Sequence, residues 1–143
     1  MNKKLWVGFI AVYVGMTITN LLIHVVLLAP VYHSEEMMKL MRPEADAKTW
    51  IFFVTSAIIS FVFTLIFSKG YTGKGMGEGI RYGLWMGLLM ATPMAYDSYA
   101  SYPIPYSLAL QWFLYGMIQY VILGAVVAMV YGKSGSAQGA ASA

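Results

Sequence analysis

Apolar residues fall into four long runs that are separated by short polar segments. Each run is about as long as the ~17–25 residues that a helix needs to cross a bilayer. The pattern predicts an all-α fold, an integral membrane four-helix bundle that occupies residues 1–133. Residues 134–143 are Gly, Ala, Ser and Gln with no apolar face, which favours a disordered tail. The predicted spans are residues 5–29, 50–67, 80–96 and 108–131.

A short charged segment lies between the first two runs. Ser34 is a good N-cap residue, and the acidic pair Glu35 and Glu36 suits the positive start of a helix. Lys39 and Arg42 suit its negative end. We therefore expect a short interfacial helix between spans one and two.

Small residues recur at every fourth position of the third run. This spacing returns to nearly the same face of a helix, so the stripe lets another backbone approach closely. The stripe consists of Gly75, Gly79, Gly83, Gly87, Ala91 and Ala95. The second run carries small hydroxyl residues at the same spacing, namely Ser56, Ser60 and Thr64. We expect the two stripes to pack against each other.

Two runs carry polar side chains at similar depth. Asn20 and His24 lie four residues apart on the first span and share a face. The same spacing relates Gln111, Tyr115 and Gln119 on the fourth span. Because unpaired polar groups are costly in hydrocarbon, we expect these spans to be adjacent, with a neutral His24 bonded to one of these side chains or to a ligand. The group is either an interhelical hydrogen-bond network or the lining of a ligand pocket.

Composition and charge favour a membrane protein. Charged residues make up 10% of the chain, against roughly 25% in soluble domains, and 59% of the residues are apolar. The absence of Cys excludes disulfides and thiolate metal sites. The net charge is +3, but the basic residues flank the apolar runs instead of forming a patch, so no nucleic-acid partner is predicted.

The basic residues also predict an orientation. Six of them flank the predicted inner side and three lie in the first outer loop. By the positive-inside rule, both termini are cytoplasmic in a multi-pass protein of the cell (inner) membrane. The six are Lys3, Lys4, Lys69, Lys74, Arg81 and Lys133, and the three are Lys39, Arg42 and Lys48.

Candidate metal and catalytic chemistry is sparse. His33, Met37 and Met41 share a helical face and are soft donors that suit Cu(I). Met is also an ordinary apolar anchor at a membrane surface, and we predict no metal site. A haem held by His24 would have only one axial ligand from this chain. No catalytic constellation of paired acids, Ser-His-Asp order or multi-His motif is present, so the sequence predicts neither an enzyme nor a cofactor, and leaves bound lipid or quinone open.

The chain resembles an uncharacterised bacterial family of small four-span membrane proteins that is known as a domain of unknown function. The resemblance lies in the segment Ala29-Pro30-Val31-Tyr32, the glycines Gly79, Gly83 and Gly87, and Gly116 with Gly124. It implies the four-span fold and brings no chemistry.

Two function classes remain from the sequence. The first is a non-enzymatic accessory or scaffolding subunit that meets membrane lipids and packs against itself or other membrane subunits. The second is a carrier or binding protein for a lipid, quinone or other hydrophobic ligand. Metal or haem handling is the third and least supported class.

Overall fold

This computed structural model describes residues 2–141, with side chains for residues 2–132, and in this part of the chain it contains helices and connecting loops but no strands. The helices are α1 (Lys3–Asn20), α2 (Ala29–Tyr32), α3 (Glu35–Leu40), α4 (Thr49–Gly70), α5 (Met76–Thr92), α6 (Ser98–Ser101) and α7 (Tyr106–Ala141). Two π-helical segments, Leu21–Leu27 and Pro93–Asp97, and a 3₁₀ turn, Glu44–Asp46, complete the order. The predicted all-α class is confirmed. The predicted tail at 134–143 lies outside the residues whose side chains are described.

Among the described residues, three helices are long and apolar enough to cross a membrane: Lys3–Leu27, Thr49–Gly70 and Tyr106–Gly132. They correspond to the predicted first, second and fourth spans. The predicted third span falls on α5 and the π-helical segment that follows it. α5 alone has 17 residues, fewer than the roughly 20 that a spanning helix needs. The fourth crossing therefore stays a prediction.

The main core lies where α1, α4 and α7 meet. α1 packs along both α4 and α7. Its buried residues recur at intervals of three or four, so one face is covered, whereas Ile10, Val14 and Ile18 on the other side remain exposed. The core side chains are Val12, Met16, Phe63, Phe67, Tyr120, Leu123, Val127, Ala128 and Tyr131.

α5 packs along α7 through its small residues. A Cβ atom added at Gly79 would overlap the carbonyl oxygen of Gly124, and one added at Gly83 would overlap the carbonyl oxygen of Tyr120. Both obstacles are backbone atoms, so the two helices touch backbone to backbone. Gly87 and Ala91 are also buried on this face.

The predicted partner of this glycine stripe is therefore wrong. We expected the hydroxyl stripe of α4, and the structure places the glycines against α7. α7 has small residues of its own, and a Cβ atom at Gly116 would lie 2.8 Å from the Cβ of Ala91. Small residues on both helices allow a closer approach than small residues facing hydroxyl side chains, which explains the choice of partner.

The hydroxyl stripe of α4 faces α1 instead. Its members Ser56, Ser60 and Thr64 are all buried. The Ser60 hydroxyl lies 3.6 Å from the Met16 sulfur and donates to it. A Cβ atom at Gly8 would lie 2.9 Å from the Thr64 methyl carbon, so α1 also uses a small residue at this contact.

Two glycines shape the turn between α4 and α5. Gly73 and Gly75 have φ values of +86° and +75°, a region that glycine adopts without a Cβ clash. Gly75 was predicted to belong to the packing stripe, and this is wrong. It precedes the first residue of α5, and a Cβ atom there would meet nothing within 4 Å.

Glu78 closes this turn. Its carboxylate accepts hydrogen bonds from the backbone N–H groups of Thr72 at 2.7 Å and Lys74 at 2.9 Å. Desolvation opposes ionisation, but these bonds and the charge of Lys74 outweigh it and hold the pKa of Glu78 below its ordinary value. The carboxylate therefore stabilises the turn above the ordinary glutamate range, and this contribution is lost only as the pH falls through the lowered pKa.

Residues 28–40 and 102–105 cover the adjoining ends of α1 and α7, and we call them the cap. Ser34 Oγ accepts a hydrogen bond from the Met37 backbone N–H at 3.4 Å, so the predicted helix start is correct. The Met37 side chain of the cap is buried. The cap and the helix ends that it covers share one apolar cluster, which contains Ile23, Leu28, Met37, Ile104, Leu108 and Ala109. That α3 lies at a membrane interface stays a prediction.

Candidate functional site

Asn20 and Gln119 join three helices through hydrogen bonds. Gln119 Nε2 donates to Thr19 Oγ1 and to Asn20 Oδ1, each at 2.8 Å. Asn20 Nδ2 in turn donates to Ser56 Oγ at 3.3 Å. α1 and α7 are therefore adjacent, as the polar spacing predicted, and α4 is tied to the same point. These groups bond to one another instead of pointing into a common pocket.

His24 has a different partner from the one predicted. Its Nδ1 atom lies 2.7 Å from Tyr32 Oη, and the two rings are parallel within 6°. Trp112 Nε1 donates to the same oxygen at 2.7 Å. The expected partners were Gln111, Tyr115, Gln119 or a ligand, and the three side chains are the wrong partners. The chain turns back after Leu28 and brings the Tyr32 hydroxyl within reach of the His24 ring.

Tyr32 is the centre of this arrangement. Burial raises the pKa of its hydroxyl above the ordinary value, and the bond from Trp112 offsets this only in part. The hydroxyl is therefore protonated throughout the physiological pH range. It can accept one hydrogen bond and donate another at the same time.

The two remaining residues of the predicted pocket, Tyr115 and Gln111, do not take part in the hydrogen bonds of the others. Tyr115 packs against the apolar cluster under the cap. Gln111 Oε1 is buried and has no hydrogen-bond partner among the described residues. A buried acceptor without a donor loses its hydrogen bonds to water and forms no other hydrogen bond in their place. Gln111 is thus the one polar side chain in this group whose burial the described contacts do not explain.

Replacing Gln111 by Met is expected to leave the free energy of unfolding unchanged or to raise it by about 1 kcal/mol, because the side chain loses a buried unpaired group and keeps its length. The matched change Gln119→Met removes two interhelical hydrogen bonds and should destabilise the protein. Denaturation of both variants in the same detergent compares them. A large loss of stability in the Gln111 variant would mean that its amide has a bonding partner in the membrane.

The weak metal candidates His33, Met37 and Met41 differ in their contacts and exposure. His33 Nδ1 lies 2.7 Å from the Ala29 carbonyl oxygen. Met37 is buried in the cap, whereas Met41 lies beyond the end of α3 and is 48% exposed. His33 and Met41 thus lie outside α3, and the continuous helix that would align the three side chains on one face is absent from residues 33–41. Within the described residues no group of three or more His, Asp or Glu side chains is placed to hold a metal ion.

Two surface cavities have other linings than the polar residues of the predicted ligand pocket. The larger, of about 530 Å³, is lined by Arg42, Pro43, Ala45, Asp46, Ala47, Lys48 and Trp50. The smaller, of about 400 Å³, is lined by Asn2, Lys3, Lys4, Val7 and Val130. Neither contains a residue of the predicted ligand pocket.

Sequence reasoning missed three side chains that complete these contacts. Thr19 lies one position from the predicted polar face, and its hydroxyl also bonds to the Gly15 carbonyl of its own helix. Tyr32 was named only within the segment Ala29-Pro30-Val31-Tyr32, and Trp112 was not singled out. The signal for them was chemical: a buried Tyr hydroxyl and a buried Trp N–H both need partners.

The comparisons with known proteins identify no relative. The chain matches no protein-family model, no curated protein and no solved structure.

Proposed function

We propose that the chain is a non-enzymatic, multi-pass subunit of the cell (inner) membrane that packs against another membrane protein or a second copy of itself. The observation that carries this proposal is the start of α4. Residues 49–55 are exposed around the whole circumference of the helix. A helix that packs only on one side still shields about three residues in seven. This stretch, which we call the unpacked turns, has no such face within its own chain.

The side chains of the unpacked turns suit a protein partner. Trp50 is 64% exposed and Phe52 is 69% exposed. Large aromatic side chains are enriched at the centres of protein interfaces, where they bury much area at a low cost in side-chain entropy. Packing against α1 begins at Ser56, where the buried hydroxyl stripe starts. The unpacked turns are thus an extension of a well-packed helix beyond its own bundle.

The contacts of α1 and α7 favour this function over a carrier. A carrier needs polar groups that converge on a pocket. Asn20 and Gln119 are instead bonded to each other and to neighbouring helices. Their role is to hold the bundle together, which is what a scaffold requires.

The proposal includes the fourth crossing at residues 80–96. Residues 76–101 are helical without a break, which is about 39 Å at 1.5 Å per residue. Between Arg81 and Asp97 there is no charged residue. The glycine contacts align α5 antiparallel to α7, a helix of spanning length, so residues 80–96 lie beside its apolar part.

Cysteine labelling can test this topology directly, because the chain contains no Cys. We expect Ala45→Cys and Tyr102→Cys to react with a membrane-impermeant maleimide on intact cells, and Asn2→Cys to react only after permeabilisation. All three positions are exposed. Labelling of Tyr102→Cys only after permeabilisation would mean that α5 does not cross, and would leave three spans.

Site-specific photocrosslinking tests the partner contact. A photoreactive phenylalanine analogue replaces Trp50 in the unpacked turns or Trp85 on α5. Trp85 is a matched control, because it is 63% exposed but lies on a helix whose opposite face is packed. We expect a discrete protein adduct from position 50 and lipid adducts alone from position 85. Lipid adducts alone at both positions would contradict the proposal.

A further inference from the structure

The hydrogen bonds among Trp112, Tyr32 and His24 have a defined direction. The indole N–H of Trp112 can only donate, so Tyr32 Oη is the acceptor in their 2.7 Å bond. Among the described residues the only acceptor within reach of the Tyr32 hydroxyl hydrogen is its other neighbour, His24 Nδ1, also at 2.7 Å, so the hydroxyl donates to Nδ1. Nδ1 is thus an acceptor. A neutral imidazole with an accepting Nδ1 carries its proton on Nε2, which assigns the tautomer of His24.

The Nε2–H group of His24 has no acceptor among the described residues. The His24 side chain is half-buried, and its ring is not enclosed by the protein. A donor left unpaired in hydrocarbon costs free energy, so a group in this position seeks an acceptor from outside the chain. The acceptor has to come from the membrane or from a molecule dissolved in it.

The depth of His24 narrows the choice of acceptor. The first span, Lys3–Leu27, has 25 residues and is about 37 Å long, so it exceeds a hydrocarbon core of about 30 Å by a few ångströms at each end. His24 lies three residues before the end of this span, about 4.5 Å along its axis. It therefore sits close to the boundary between acyl chains and headgroups.

We propose that His24 Nε2–H binds a carbonyl oxygen of an amphipathic membrane molecule, an acyl-ester lipid or a quinone. Ester carbonyls occur at this boundary, and a quinone carbonyl can reach it from the hydrocarbon side. Tyr32 and Trp112 are positioning residues, since they fix the tautomer and the ring orientation without touching the ligand. This binding site is separate from the unpacked turns and adds a ligand to the proposed subunit.

Nuclear magnetic resonance of the full-length chain labelled with ¹⁵N-histidine tests the site. The protein is placed in nanodiscs of diacyl phosphatidylcholine, of the dialkyl-ether analogue that lacks carbonyls, or of the ether lipid with a short-chain ubiquinone. The chain has two His residues, so His33→Asn assigns the signals. We expect the Nε2–H proton of His24 to shift downfield and to exchange more slowly in ester discs than in ether discs. Restoration by ubiquinone in ether discs would identify quinone as a second source of the carbonyl.

Two results would overturn the proposal. One is an Nε2–H signal that is the same in ester discs, ether discs and ether discs with ubiquinone, because an acceptor present in all three is not a carbonyl. The other is protonation of Nδ1 in place of Nε2. Tyr32→Phe keeps the ring and removes the hydroxyl, and it should reduce the ester-dependent shift of the His24 Nε2–H proton, because the imidazole loses the bond that fixes its orientation. An unchanged ester-dependent shift in this variant would contradict the positioning role.

Discussion

Replacing Gly83 by Ala is expected to destabilise the protein by about 1–3 kcal/mol, the usual cost of forcing atoms into a packed contact. The new methyl group would overlap the Tyr120 carbonyl oxygen and would lie 2.9 Å from Val121 Cα. These are backbone atoms that no side-chain rotation can move, so α5 has to shift away from α7. Thermal or denaturant unfolding in nanodiscs measures the change.

Gly77→Ala is the matched control for this prediction. Gly77 lies on the same helix, and a Cβ atom there would meet nothing within 4 Å. The substitution should be neutral or should stabilise the protein by up to about 1 kcal/mol through helix propensity. Equal stability of the two variants would mean that the glycine face of α5 does not contact α7.

Replacing Asn20 by Leu is expected to weaken the packing of α1 against both α4 and α7. It removes the acceptor for Gln119 Nε2 and the donor to Ser56. Interhelical hydrogen bonds in membranes contribute about 0.6 kcal/mol on average and up to about 1.7 kcal/mol, so losing two should cost roughly 1–3 kcal/mol. A double-mutant cycle of Asn20→Leu with Gln119→Leu should give a coupling free energy in the range of a single bond.

Thr17→Val provides the control for the Asn20 variant. The Thr17 hydroxyl donates to the Tyr13 carbonyl of its own helix at 2.9 Å, so its loss breaks no bond between helices. We expect it to change stability by much less than Asn20→Leu. Additive effects of the Asn20 and Gln119 substitutions would contradict the hydrogen bond between them.

The sequence predicted the helical fold well, because each apolar run is a local property. The runs at 5–29, 50–67 and 108–131 correspond to the three helices of spanning length. Capping by Ser34 was equally local and equally predictable. The third run was harder, since glycines and Pro93 make α5 shorter and add a π-helical segment after it.

The choice of packing partners could not be predicted in the same way. A stripe of small residues shows that another backbone comes close, but two helices offered compatible faces. α7 carries Gly116 and Gly124, and the structure selects it over the hydroxyl stripe of α4. This selection depends on how each helix is rotated about its axis, which is set by the whole bundle and its loops.

The candidate site was predictable only where its residues lie in regular helices. Asn20 and Gln119 meet because both lie within regular helices, where spacing fixes their faces. His24 lies in a π-helical segment, and its partner Tyr32 comes from the chain reversal that follows. Helical periodicity does not describe either feature, so residue spacing favoured the wrong partner.

We expect the proposed subunit to meet another protein through its unpacked turns. Mass spectrometry of polymer discs cut directly from the native membrane, without detergent, tests it most directly. We predict that the chain occurs with a protein neighbour, or a second copy, in a fixed ratio. The double substitution of Trp50 and Phe52 by Ala should abolish this association, and Trp85→Ala should preserve it. A single chain accompanied only by lipid or quinone would contradict the account.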